Sequence, residues 1–337
     1  MPEIVLPYSK DFMPIPETII IAGKERPVTF GVELEGFVDR IKLFELKWHQ
    51  QTISGRFLSK QLRRDMLDNN KCKRTLADMI QSVGGELCAL PHDENIVDRW
   101  LVGDDTSIRC KDQQTPSEII SPILTGNKGL ERIDHIFSYL NSVPFKANES
   151  CGIHVHVSLG WDKNNIDVNT FKEVRRIHWA IRNNASFLEK LVEAYRLEAR
   201  HSKNKTLAKS TGVPKGDQPT NKRTKITFAR LNGIGVDPDD YMSCWCLYNF
   251  EALKEHGTIE FRGKEAAGYV DARGYIKFLV AFTCEAAVNP KIMVGEVLGK
   301  YFGGLTVEQA EKNVAPPSRN APSVIPAPYV VSTQQYG

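Results

Sequence analysis

The stretch Thr29-Phe-Gly-Val-Glu-Leu-Glu-Gly-Phe-Val38 decides how the rest of the chain is read. Apolar, aromatic and β-branched residues fill most of its positions, and a strand sends alternate side chains to opposite faces. Phe30, Val32 and Leu34 then share one face, and Gly31, Glu33 and Glu35 the other. Two neighbouring carboxylates flanked by apolar residues are costly unless water, a cation or a base neutralises them. An edge strand with a solvated face meets that demand, and so does one half of a divalent-cation site. Partner strands with the same habit discriminate between the two.

Two further runs repeat the device. Cys151-Gly-Ile-His-Val-His-Val157 places His154 and His156 two residues apart, and Thr258-Ile-Glu-Phe-Arg262 does the same with Glu260 and Arg262. In each case the residue between is apolar (Leu34, Val155 or Phe261) and can face a core. Glu118, in Ser117-Glu-Ile-Ile120, adds a fourth strand. Each motif alone has an ordinary reading: solvated acids, satisfied histidines, or a surface ion pair worth little. Shared by strands of one sheet, they give a core on one face and four carboxylates, two imidazoles and a guanidinium on the other. Carboxylate oxygens with an imidazole suit Mg²⁺ or Mn²⁺, whereas zinc more often shows a compact His/Cys set. So many acids exceed the needs of one ion. Clusters of this kind commonly bridge the oxygens of a polyphosphate.

The 337 residues are 41% apolar and 25% charged, with a net charge of +3, which fits a globular protein and gives no case for a nucleic-acid or membrane partner. The seven cysteines include no CxxC pair and mostly sit in apolar contexts, as expected of free thiols in a reducing, cytoplasmic compartment. No run of about 18 apolar residues is present, and residues 1–13 lack the basic-then-apolar pattern of a secretory signal.

Pro2, Pro7, Pro14 and Pro16 mark residues 1–22 as an extended arm, and residues 23–314 as the main domain. Ile19–Ala22 and Val28 onward read as a hairpin whose second arm is the key strand. Apolar residues at helical spacing predict helices over 58–67, 73–83 and 129–140, and from Asp167 or Asn169 to Asn183. Helical spacing continues through Tyr195, and recurs from about Asp271 to Phe282, over 292–298 and over 307–313. Tyr241–Phe250 reads as a strand. Residues 200–225, polar and basic, read as a long mobile loop, and 315–337 as a disordered tail. Strands interleave with helices without a GxGxxG or GxxxxGK[ST] phosphate loop, so an α+β domain with a largely antiparallel sheet is expected.

FGVELEGF at 30–37, WLVGDDTSI at 100–108, SEIISPIL at 117–124, CGIHVHVS at 151–158 and HGTIEFRGKEAA at 256–267 together resemble the motifs of the amidoligases. These belong to the carboxylate–amine ligase superfamily of glutamine synthetase and glutamate–cysteine ligase. The resemblance implies a curved, mostly antiparallel sheet with helices on its outer face, and ATP with Mg²⁺ (or Mn²⁺) on the inner face. It implies phosphorylation of a small-molecule or peptide carboxylate to an acyl phosphate, then attack by an amine. It implies Glu33, Glu35, Glu118, His154 and Glu260 as metal ligands and His156 and Ser158 as nucleotide contacts. Arg262 is implied at the γ-phosphate, and Asp105 near the substrate, where it could accept the amine proton. Asn249 matches an asparagine before the last strand, and an oligomer is compatible with the family. After Arg262 the chain departs from the family's usual polar pair and Gly-Thr, carrying Gly263-Lys-Glu-Ala-Ala-Gly268 instead. A metal-dependent hydrolase or phosphatase using the same carboxylates, and a non-catalytic nucleotide- or metal-binding module, are the competing readings.

Overall fold

The computed structural model describes residues 4–51, 68–84, 88–90, 98–148, 150–191, 248–250 and 252–313. Strands β1 (Thr18–Ile21) and β2 (Lys24–Pro27) form a hairpin of their own. Ala22 and Gly23 both adopt positive φ, 51° and 77°, as a two-residue turn matched to strand twist requires. The hairpin therefore closes through a tighter turn than the sequence suggested, with Lys24–Pro27 rather than the key strand as its second arm. Pro27, the last residue of β2, has no N–H to donate, and the Val28 N–H after it donates to Glu17 O.

The key strand, β3 (Thr29–Asp39), joins the main sheet instead. The other members are β4 (Cys88–Ala89), β5 (Trp100–Gly103), β6 (Gln114–Ile120), β7 (Phe145–Lys146), β8 (Gly152–Ser158), β9 (Tyr248–Asn249) and β10 (Ile259–Glu265). Their order is β4-β5-β6-β3-β8-β10-β9, with β7 also on β3. Every pairing is antiparallel except β4 on β5, which makes the sheet mixed. The expected curvature is not strong: the sheet is neither closed nor tightly curled, and both ends are two-residue strands.

One face of the sheet is the core. Val32, Leu34, Val102, Ile119, Ile153, Val155, Val157 and Ile259 all lie on it, buried. Removing such a side chain costs about 2–5 kcal/mol, because the cavity left behind relaxes only partly. The described helices are α1 (Arg40–Gln51), α2 (Asn69–Gly84), α3 (Gly126–Ser142), α4 (Val168–Asn183) and α5 (Ala185–Lys190), then α6 (Ala252–Glu255), α7 (Ala272–Val288), α8 (Val294–Tyr301) and α9 (Val307–Lys312); α2 and α7 are among those that pack on the sheet, while α8 and α9 pack on other helices. A 3₁₀ turn, Ala266–Asp271, links β10 to α7. Asp167 caps α4 by accepting from the Thr170 N–H at 2.7 Å. α7 is apolar nearly all round and packs on α3, α4, α8 and β8, as a central helix does. The expected helix over 58–67, the continuation to Tyr195, most of the 241–250 strand, the 200–225 loop and the 315–337 tail lie outside the described residues. No described helix is long and apolar enough to cross a membrane. Of the described cysteines, Cys72, Cys88, Cys151 and Cys284 are buried thiols and Cys110 is exposed.

The N-terminal arm is strapped across α7. Ile4 donates to Lys190 O and Val5 to Asn313 O, at 3.0 and 2.8 Å. Gly274 permits the crossing, since a Cβ there would stand 2.0 Å from Leu6 O. Beneath the arm, Lys277 is fully buried, with its Nζ 5.5, 5.4 and 5.3 Å from the ring centroids of Tyr8, Phe12 and Phe302. The rings attract a cation but replace little of its lost hydration, and burial pushes the lysine pKa down to about 8. Between about 8 and 10.5 the unfolded chain therefore binds the proton that the folded chain has released, so this residue's contribution to stability rises with pH across that window. Lys277→Met is expected to raise the melting temperature at pH 7 by about 2–4 °C, the effect of ~1 kcal/mol in a domain of this size. The gap between variant and wild type should close as the pH goes from 7 to 10 in parallel thermal melts. A constant gap would show that the lysine stays charged when buried.

Candidate active site

The face of the sheet opposite the core collects the paired polar residues. Glu35 faces Glu118 across β3 and β6, and Glu33 faces His154 across β3 and β8. His156 faces Glu260 across β8 and β10, and Glu260 faces Asn249 across β10 and β9. Strand alternation in five separate strands thus delivers these side chains to one patch.

His154 stands at its centre. Its Nδ1 lies 3.1 Å from Glu33 Oε2 and 3.5 Å from Glu260 Oε1, and its Nε2 lies 3.3 Å from Glu35 Oε1. Two groups of ligand atoms result, Glu33–His154–Glu260 and Glu35–Glu118–His154, each within 4.8 Å. His156 stands at the rim, with Nε2 3.2 Å from Glu33 Oε1 and Nδ1 sharing a 3.0 Å hydrogen bond with Thr258 Oγ1. Arg262 Nη1 donates to Glu260 Oε1 at 2.6 Å, and Asn249 Nδ2 donates to Glu260 Oε2 at 2.8 Å. The Gly152 N–H donates to Glu35 Oε2 at 2.6 Å.

Each acid meets the crowding differently. Burial works against ionised Glu33, but hydrogen bonds from His154 and His156, and their charge, hold its pKa well below the usual carboxylate range. Burial likewise opposes charge on His156, and the neighbouring Glu33 and Glu260 outweigh it and raise its pKa. Glu118 goes the other way: burial first, then repulsion from Glu33, Glu35 and Asp105, pushes its pKa up to about 9.

The sequence-predicted residues fall into three positions. Glu33, Glu35, Glu118, His154 and Glu260 form the two groups, and His156 and Arg262 adjoin them. Asp105 follows the end of β5, near enough for its charge to be felt at Glu118. Ser158 lies at the far end of β8, where its hydroxyl accepts from the Trp161 N–H at 3.3 Å and is in neither group.

Two residues escaped the sequence reading. Thr258 orients His156, and a lone threonine before a strand carries no signal. Glu265 is the other. β10 has a bulge: Phe261 faces Val155 and Lys264 faces Ile153, so three steps on one strand match two on the other. Alternation restarts beyond it. Lys264 turns to the core, 5.5 Å from the Tyr275 ring, and burial pushes its pKa down to about 8. Glu265, opposite Gly152, shares the face of the histidines. Gly263 inside a strand was the one available sign.

The donor set is one that a hard divalent cation accepts: carboxylate oxygens with one imidazole. His154 Nε2 supports the fit, because it is buried and makes no hydrogen bond although Glu35 Oε1 is close. A neutral imidazole has one lone pair, so His154 can serve one group as ligand while donating a proton toward the other.

A family model described as "Putative amidoligase enzyme" matches residues 26–282, and these residues contain every member of both ligand groups. No curated protein matches the chain.

Glu118 carries a pH prediction. An acid whose folded pKa is raised from 4.5 to about 9 holds a proton that the unfolded chain releases, so its contribution to stability falls as pH rises through that window. In the presence of a chelator, Glu118→Gln should melt at the same temperature as wild type near pH 5 and progressively above it toward pH 9. Adding Mn²⁺ at pH 8 should stabilise the wild type more than the variant. Parallel curves from pH 5 to 9 would rule out a proton on Glu118.

Proposed function

The chain belongs to the amidoligase family, and on that premise we propose that it joins a carboxylate to an amine, with ATP converted to ADP and phosphate. The observation that carries the reading is His154 between two carboxylate groups, with Arg262 beside one of them. A carboxylate is a poor electrophile at neutral pH. Transfer of the γ-phosphoryl group to one of its oxygens gives an acyl phosphate. The amine then attacks the acyl carbon, the C–O bond to phosphate breaks, and the nitrogen gives up a proton. Mg²⁺, with Mn²⁺ as an alternative, supplies the positive charge that lets two anions approach one another.

The chain's own residues divide this work. Glu33, Glu35, Glu118, Glu260 and His154 hold the cations, and His156 and Ser158 face the nucleotide. Arg262 stabilises the phosphoryl group in transfer, for which a guanidinium presents several donors in a fixed plane. Asp105 takes the proton from the attacking amine. Residues 23–314 form the catalytic domain. Kinship with glutamine synthetase and glutamate–cysteine ligase belongs to the same proposal, supported by carboxylates and a histidine presented from neighbouring strands. The free thiols suit a cytoplasmic setting.

Thermal melts with Mg²⁺, ATP and both together test the binding part. ATP at a hundred times its Kd adds about 2.7 kcal/mol, so the combination should exceed Mg²⁺ alone by several degrees. Glu33→Gln and Glu260→Gln should each keep the fold and lose the Mg²⁺-dependent part of that shift. ADP release across a panel of amines and amino acids then tests the reaction. If Mg²⁺ alone stabilises as much as Mg²⁺ with ATP, the hydrolase reading replaces this one.

A further inference from the structure

The run Gly103-Asp-Asp105 leaves the sheet beside Glu118. Gly103 pairs with Glu118, which sets it on the polar face. Asp104, one step on, meets Lys73 Nζ in an ion pair. Lys73 belongs to α2, which packs on β5 and β6 from the helical layer through Leu76 and Ile80. Its side chain is 6% exposed while that of Asp104 is 54% exposed, so the lysine reaches from the interior to the strand end rather than lying on the surface. Asp105, one step further, has the parity of Gly103, and its charge is felt at Glu118. Its Oδ1 accepts from the Ser107 N–H at 2.6 Å and its backbone O accepts from the Ile108 N–H at 3.3 Å. Nothing in the pattern Asp-Asp says which acid turns toward Glu118.

We propose that Lys73 is a positioning residue for the site: by holding Asp104 under the end of β5 it turns Asp105 toward Glu118. An ion pair with one interior partner is worth more than an exposed pair, because the lysine has given up water to make it. Without that anchor, Asp104 is free to swing to solvent, and the alternation that aims Asp105 is no longer held. The proposal concerns the site described above but does not depend on the ligase reading, since its readouts are backbone exchange and Mn²⁺ binding.

The test uses the full chain with Lys73→Met, Asp104→Asn, Asp105→Asn and the Lys73→Met/Asp105→Asn pair. Hydrogen exchange of the Ser107 amide reports directly on Asp105. It should quicken about tenfold in both Lys73→Met and Asp104→Asn, with exchange in β3 and β8 unchanged. Asp104 is exposed enough that its variant folds even if Lys73→Met does not, and Asp104→Asn then decides alone. Mn²⁺ titration supplies the second readout. Asp105→Asn should weaken binding about threefold in the wild type and not further in the Lys73→Met background, a non-additivity expected only if one residue acts through the other. Wild-type Ser107 exchange in Asp104→Asn overturns the proposal. So does an Asp105→Asn factor of equal size in both backgrounds, a factor of one included.

Discussion

Like charges on neighbouring strands repel, and this fold sets Glu33, Glu35, Glu118 and Glu260 on one patch of one sheet. Each acid is reconciled to its neighbours by different means. Glu33 leans on two imidazoles, Glu260 takes a guanidinium and an amide, and Glu35 takes a backbone N–H. Glu118 has none of these contacts among the bonds described, and burial with the repulsion of its neighbours pushes its pKa up to about 9. The apolar face beneath, with Val32, Leu34, Val155 and Ile119 buried, offsets the cost and keeps the strands in register. A one-residue slip would send the acids into the core, so the same burial that stabilises the sheet also fixes the patch.

Much of this was legible because it rests on a period of two. Glu-x-Glu, His-x-His and Glu-x-Arg each state their face without reference to anything distant. What the sequence concealed depends on long-range geometry. The key strand was expected as the hairpin's second arm, but that arm is Lys24–Pro27 and the key strand begins beyond it at Thr29. The sheet, expected to be curved, is neither closed nor strongly curled. The bulge after Phe261 inverts the alternation, so a reading by parity assigns Lys264 to the polar face and Glu265 to the core, the reverse of what the register gives. Asp104 pairs with a lysine on another element. Ser158, implied as a nucleotide contact, also accepts the Trp161 N–H of the turn that follows.

His154 couples the two halves of the patch. Its two nitrogens face different carboxylates, and a neutral ring can offer a lone pair on only one side. Occupation of one group therefore fixes the tautomer seen by the other. The patch behaves as one unit with two ends, and changes at Glu35 and at Glu260 should not be additive even though these residues stand on different strands.

The arm over α7 bears on the order in which the protein comes into being. Ile4 and Val5 leave the ribosome early, whereas their partners, Lys190 and Asn313, are made later, Asn313 last of all described residues. Gly274, over which Leu6 lies, is also a late arrival. The strap thus cannot fasten during most of synthesis, and the Tyr8 and Phe12 rings remain without their helical partners until α7 has emerged. Closure of the arm is a final step, made from contacts of very long sequence separation, and belongs to the slow part of folding.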